Sequence, residues 1–128
     1  MDKKVVATNQ APGASGPYSQ GIIANGFLFV AGQIAVVPGT KDFVAGGIKE
    51  QTAQVLNNLK AILEAGGSSM DKIVKTTVFL SDVNSFAEMN GVYATFFGDN
   101  PPARSTVQSP MMVDVKVEMD VIAYKPLD

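Results

Sequence analysis

Val113-Asp114-Val115-Lys116-Val117-Glu118-Met119-Asp120-Val121-Ile122-Ala123-Tyr124 decides the fold, because its apolar and polar side chains alternate with the period of two of an extended strand. Val113, Val115, Val117, Met119, Val121 and Ala123 fall on one face; Asp114, Lys116, Glu118 and Asp120 fall on the other. Glu118 and Asp120 thereby share a face, about 7 Å apart. An apolar face under helices with a charged face in water is the commonest arrangement for an antiparallel sheet. Ile122 and Tyr124 also belong to the charged side, so a wet cleft or a contact with another subunit suits this strand too.

Working back from this strand, Arg104 to Gln108 reads as a second one, entered through Pro101-Pro102. Ser85-Phe86-Ala87-Glu88 has the spacing of a capping box, and an apolar stripe at Phe86, Met89, Tyr93, Phe96 and Phe97 predicts a helix closed by Asp99-Asn100-Pro101-Pro102. Ile73 to Leu80 is β-branched and apolar almost throughout, as in a strand covered on both faces. Ile48, Thr52, Val55, Leu56, Leu59, Ile62 and Leu63 form the stripe of an amphipathic helix over 48–65, stopped by Gly66-Gly67. Near the start, Asn25-Gly26 predicts a two-residue hairpin turn between Ile22-Ile23-Ala24 and Phe27-Leu28-Phe29-Val30, with a strand resuming from Ile34 to Val37. No linker, repeat or low-complexity tract interrupts the chain, so one domain is expected over 1–128.

Composition excludes whole classes of chemistry. The chain has no histidine and no cysteine, which removes Ser-His-Asp and Cys-His nucleophile systems, His or Cys metal sites, and disulfides. A net charge of -2 and aromatics at 8%, not interleaved with basic residues, argue against nucleic acid as a partner. The N-terminus, Met1-Asp2-Lys3-Lys4-Val5-Val6-Ala7-Thr8, lacks the apolar core of a secretory signal. No stretch approaches the roughly 20 apolar residues that span a bilayer. A cytoplasmic protein with no membrane contact is expected.

Arg104 is the single arginine, in Pro101-Pro102-Ala103-Arg104-Ser105-Thr106-Val107. Prolines stiffen its approach and a β-branched run follows, which suits a fixed cationic fork that binds a carboxylate or phosphate bidentately. Taken alone, a lone arginine at such a junction is more often a surface charge or half of a structural ion pair. Catalysis by this chain has to draw on carboxylates, tyrosines, hydroxyls, backbone groups, lysines and Arg104.

Gly16-Pro17-Tyr18-Ser19-Gln20-Gly21, Ala31-Gly32-Gln33-Ile34, Val74-Lys75-Thr76-Thr77-Val78-Phe79-Leu80, Pro102-Ala103-Arg104-Ser105 and Val117-Glu118-Met119-Asp120-Val121-Ile122-Ala123 occur in the order seen in the Rid (YjgF-like) reactive-intermediate deaminases. The chain resembles that family over essentially its whole length. The resemblance implies an α+β, chorismate-mutase-like fold, a mixed β-sheet backed by two helices, assembled as a homotrimer with intersubunit clefts. It also implies hydrolysis of 2-imino acids such as 2-iminobutanoate and 2-iminopropanoate to 2-oxo acids and ammonia, with no cofactor and no metal. Carried over residue by residue, Arg104 would bind the substrate carboxylate and Tyr18 would line the cleft. Asp120 would orient or deprotonate the attacking water, a carbonyl near Thr106 would help hold it, and Asn90 would lie beside the pocket. Ala31 and Gly32 would form part of the ligand-binding wall.

Three positions depart from the family pattern. Asp120 stands where the family has glutamate, which draws the carboxylate back by roughly 1.5 Å on an unchanged backbone. Ala31 replaces a serine and so lacks a hydroxyl for the ligand. Ser109-Pro110-Met111-Met112-Val113 replaces a loop one residue longer. Two functions follow: an imine deaminase, or a binding module that keeps the arginine clamp for a small carboxylate such as a 2-oxo acid. Restoring glutamate at 120 separates them. Ribonuclease activity, attributed to relatives, finds no support in a chain without histidine or a basic patch.

Overall fold

Strands in which one side chain is buried and the next is open need a cover on one face only, and this chain supplies it with two helices. The computed structural model describes residues 2–126. Its strands are β1 (Lys4–Val6), β2 (Gly21–Ala24), β3 (Phe27–Gln33), β4 (Ile73–Leu80), β5 (Ala103–Gln108) and β6 (Val117–Tyr124); its helices are α1 (Ile48–Ala65) and α2 (Phe86–Thr95). The strands form one sheet in the order β1-β2-β3-β6-β4-β5. Only β4 and β5 run parallel; all other neighbours are antiparallel, so the sheet is mixed.

The stripe expected for α1 is the buried one: Val55, Leu56, Leu59, Ile62 and Leu63 are fully shielded against Leu28, Val78, Val117, Met119 and Ala123 of the sheet. Burial of each such side chain contributes about 1.5–3 kcal/mol. The hairpin turn is also as expected, with positive φ at Asn25 (52°) and Gly26 (81°), the pair of left-handed residues that a two-residue turn of right-twisted strands requires.

Four local readings are corrected. Ile34 to Val37 is not a strand; only Val36 bridges Phe43. The cause is Asn58 of α1, nearly fully buried, whose amide donates to the carbonyls of Ile34 (3.2 Å) and Val36 (2.9 Å) in place of a neighbouring strand. Asn58→Leu leaves both acceptors unpaired, and the expected loss is about 1–3 kcal/mol of unfolding free energy, read from urea denaturation. The last strand begins at Val117 rather than Val113: Val115 keeps its buried face, but the Lys116 amide donates to Gln51 Oε1 at 2.8 Å, outside any ladder. Ser85 does not cap α2; a tight turn over Val83–Ser85 precedes the helix, and Asp82 caps that turn by accepting from the Asn84 amide at 2.9 Å. Finally, β4 is covered on one face, with Ile73, Thr76, Val78 and Leu80 buried and Lys75, Thr77 and Phe79 partly open, because both helices lie on the same side.

The uncovered face is the one that looked mixed in sequence. Register places Phe29 beside Ile122, Phe27 beside Tyr124, Phe79 beside Glu118 and Thr77 beside Asp120 on it. Phe27, Phe29, Val107 and Tyr124 are 40–46% exposed there, an apolar area of the kind that marks an interaction surface.

Candidate functional site

Arg104 lies on the edge strand β5, paired directly with Thr76 of β4, so its side chain points to the helix-covered side of the sheet. Phe86 and Tyr93, seven residues apart on α2, share a helix face and meet it there. The guanidinium carbon stands 4.7 Å from the Tyr93 ring centroid and 5.6 Å from that of Phe86. The Tyr93 hydroxyl is 2.8 Å from Thr76 Oγ1, and its ring packs on Phe97 with centroids 4.6 Å apart. Burial raises the Tyr93 phenol above its ordinary value, opposed by the Thr76 hydrogen bond and the Arg104 charge, so it stays protonated at neutral pH. A depression of about 350 Å³ opens beside these groups, lined by Asn90, Tyr93, Ala94, Phe97, Pro101 and Arg104. Thr106 follows on the same face of β5, two residues from Arg104. The arrangement offers a planar cation with an amide beside it, a fit for a small carboxylate.

Tyr18 and Gly32 belong to a second place. Tyr18 is half exposed, and its hydroxyl accepts from the Ser15 amide at 3.2 Å. It lines a groove of about 710 Å³ together with Ser15, Gly32, Gln33, Ile34 and Lys41. Gln20, a residue the motif reading left without a role, holds this wall. It is buried, accepts from the Thr8 amide at 2.7 Å and donates to the carbonyls of Thr8 (3.0 Å) and Pro12 (2.7 Å), tying the segment before Tyr18 to the sheet. Ala31 joins through its amide, which donates to the Gln20 carbonyl at 2.9 Å.

Asp120 stands in a third place. It pairs with Thr77 and therefore projects from the uncovered face, opposite to Arg104. Ala31 and Gly32 sit where β3 shifts register against β6 between Val30 and Gln33. There Glu118 lies against Gly32 so closely that a Cβ on Gly32 would collide with its carboxylate. A side chain at Gly32 would oblige the Glu118 carboxylate to move aside.

Partial burial, and then the neighbouring Asp120, raise the Glu118 carboxyl above its usual range. A group that binds its proton more tightly folded than unfolded adds stability below the ordinary carboxylate range, and that contribution is lost as pH rises through the raised value. Glu118→Gln is therefore expected to melt above the wild type at pH 7.5, with the advantage gone at pH 4; calorimetric melting at both values checks it.

One chain thus brings Arg104 together with Asn90 and Tyr18 together with Gly32, and leaves the two pairs apart. Gly32 on β3 and Arg104 on β5 are separated by three strand spacings, about 14 Å. The aromatic bed of Arg104 was visible in sequence only as the apolar stripe of α2; its partner Thr76, on another strand, carried no local signal.

Among the described residues no group of three or more carboxylates is placed to hold a metal ion, and no helix is long and apolar enough to cross a membrane.

Residues 8–125 match the family model described as Endoribonuclease L-PSP. A RutC family protein of Pyrococcus horikoshii is 53% identical over 124 residues, spanning 96% of this chain and 98% of that one. The 2-iminobutanoate/2-iminopropanoate deaminase of Rattus norvegicus is 39% identical over 124 residues, 96% of this chain and 90% of that one. The crystal structure of E. coli TdcF with bound serine superposes with a TM-score of 0.91 at 42% identity, covering 96% of this chain and 99% of that one. Their agreement in sequence and in fold makes the chain a member of the YjgF/Rid family.

Proposed function

We propose that this protein hydrolyses small 2-imino acids, 2-iminobutanoate and 2-iminopropanoate among them, to 2-oxo acids and ammonia. The observation that carries the reading is Arg104, the only arginine, held against aromatic rings beside Asn90 at the rim of a small depression. The rat relative bears the name of that activity at 39% identity.

The reaction asks little of a protein. Arg104 takes the substrate carboxylate through two N–H donors, which fixes the C=N carbon in one place. Asp120 accepts a proton from water as its oxygen bonds to that carbon, and the imine nitrogen gains a proton as the C=N π electrons move onto it. The tetrahedral carbinolamine then collapses: its hydroxyl loses a proton, the C–N bond breaks, and nitrogen leaves with a further proton as ammonia. Tyr18 and the Ala31-Gly32 backbone wall the substrate, and a carbonyl near Thr106 holds the water.

Because Arg104 and Asp120 point to opposite faces within one chain, the site is completed between copies, as a homotrimer packed through its uncovered sheet faces. The exposed Phe27, Phe29, Val107 and Tyr124 support this assembly. Sedimentation at low micromolar concentration is expected to show three times the chain mass of 13.5 kDa. A monomer there would undo the shared cleft.

A second reading, a binding module for 2-oxo acids, is favoured by one observation: the general-base position is an aspartate. The deciding assay couples a threonine dehydratase to semicarbazide, which traps 2-iminobutanoate as it forms. A semicarbazone signal slowed by this protein and not by its Arg104→Ala variant supports imine hydrolysis. No slowing by either protein favours the binder.

A further inference from the structure

We propose that Tyr93 is a positioning residue for Arg104, and that its hydroxyl contact with Thr76 sets the direction in which the guanidinium presents its N–H edge. This rests on Arg104 being the carboxylate clamp of the proposed function.

An arginine side chain spreads its guanidinium over many rotamers unless something holds it. Among the described residues no carboxylate forms an ion pair with Arg104. What lies against it is aromatic, the Tyr93 ring at 4.7 Å and the Phe86 ring at 5.6 Å. These two ring contacts restrain where the guanidinium can sit.

Tyr93 is itself fixed at both ends. Its ring packs on Phe97, and its hydroxyl reaches Thr76 Oγ1 at 2.8 Å in the fully buried layer between β4 and α2. Thr76 is also the residue paired with Arg104 across the parallel β4–β5 register. The three residues therefore form a closed loop: strand to strand through the ladder, strand to helix through the hydroxyls, and helix back to Arg104 through the ring.

A valine facing a phenylalanine would fill the same space without taking two hydroxyls out of water, and buried hydroxyls are tolerated only when paired. What the pair adds over an apolar contact is direction. The ring of Tyr93 can neither slide along α2 nor tilt without breaking it, and the guanidinium above inherits that restraint.

The test uses the whole protein and its single arginine, whose Hε–Nε resonance stands alone in a spectrum of arginine-labelled material. In the wild type this signal is expected to be ordered and shifted by the ring current. Tyr93→Phe keeps the ring and removes the hydroxyl. It is expected to lower the order of the Arg104 signal and to raise both KM for 2-iminobutanoate and Kd for 2-oxobutanoate about five- to tenfold, with kcat within twofold. Thr76→Val is expected to do the same, and Thr76→Ser to restore wild-type values, which a purely structural role would not produce. In an Arg104→Ala background Tyr93→Phe is expected to cost no further affinity.

Unchanged Arg104 order and KM in Tyr93→Phe would overturn the proposal, as would an equal affinity loss with Arg104 already gone. If the wild type neither hydrolyses the imine nor binds 2-oxobutanoate, the proposed function fails. The resonance then decides the positioning by itself: mobility released by Tyr93→Phe supports it, and no change overturns it.

Discussion

Arg104→Ala is expected to lower kcat/KM for 2-iminobutanoate by about 10²- to 10⁴-fold, with a parallel loss of 2-oxobutanoate binding. Two hydrogen bonds to a charged group are worth roughly 1.5–3 kcal/mol each, and each 1.4 kcal/mol is tenfold. Arg104→Lys should recover only part of this, because an ammonium offers one point charge where the guanidinium offers a planar fork. The lysine also loses the guanidinium's contact with the Tyr93 and Phe86 rings. The chain has no second arginine to substitute, so the loss should not be masked. Steady-state kinetics with calorimetry in parallel checks both variants. Unchanged values in either variant would remove Arg104 from the site.

The second large effect falls on kcat alone. Asp120→Asn removes the acceptor for the water's proton and is expected to lower kcat by about 10²- to 10⁴-fold, the usual contribution of general-base catalysis. Binding of 2-oxobutanoate should stay within a few-fold, because in the proposed cleft Asp120 handles the water while Arg104 holds the carboxylate. Asp120→Glu tests the same position from the other side. A shift of about 1 Å in a catalytic group costs on the order of a hundredfold. A steep rise in turnover from near zero would show that the natural protein is a binder. A modest change would show that the cleft has adapted to the shorter side chain.

The contrast between these two residues also shows how far the chain could be read before its structure. Arg104 stood out as the single arginine at the entry to a strand, and Asp120 through alternation in the last strand together with the family resemblance. Alternation in the last strand separated an inward apolar row from an outward row holding Glu118 and Asp120, and the structure keeps that division over Val117–Tyr124. It could not say that Arg104 faces the other way, since that depends on β5 pairing in parallel with β4, with Arg104 beside the buried Thr76. The reading failed where a distant side chain captured backbone groups, as Asn58 does at Ile34 and Val36 and Gln51 does at Lys116.

The amino-acid sequence alone determined the spans of α1 and β4, the hairpin at Asn25-Gly26, the exclusion of histidine and cysteine chemistry, and the singular arginine. These follow from local periodicity, turn chemistry and composition, which act within a few residues. Only the tertiary structure decided that Tyr93 and Phe86 form a bed for Arg104, that Glu118 lies against Gly32, and that the two helices leave one sheet face uncovered within the chain. Those features join residues far apart in the chain. They depend on strand order and register, which are set by the packing of the whole core and leave no mark on a local pattern.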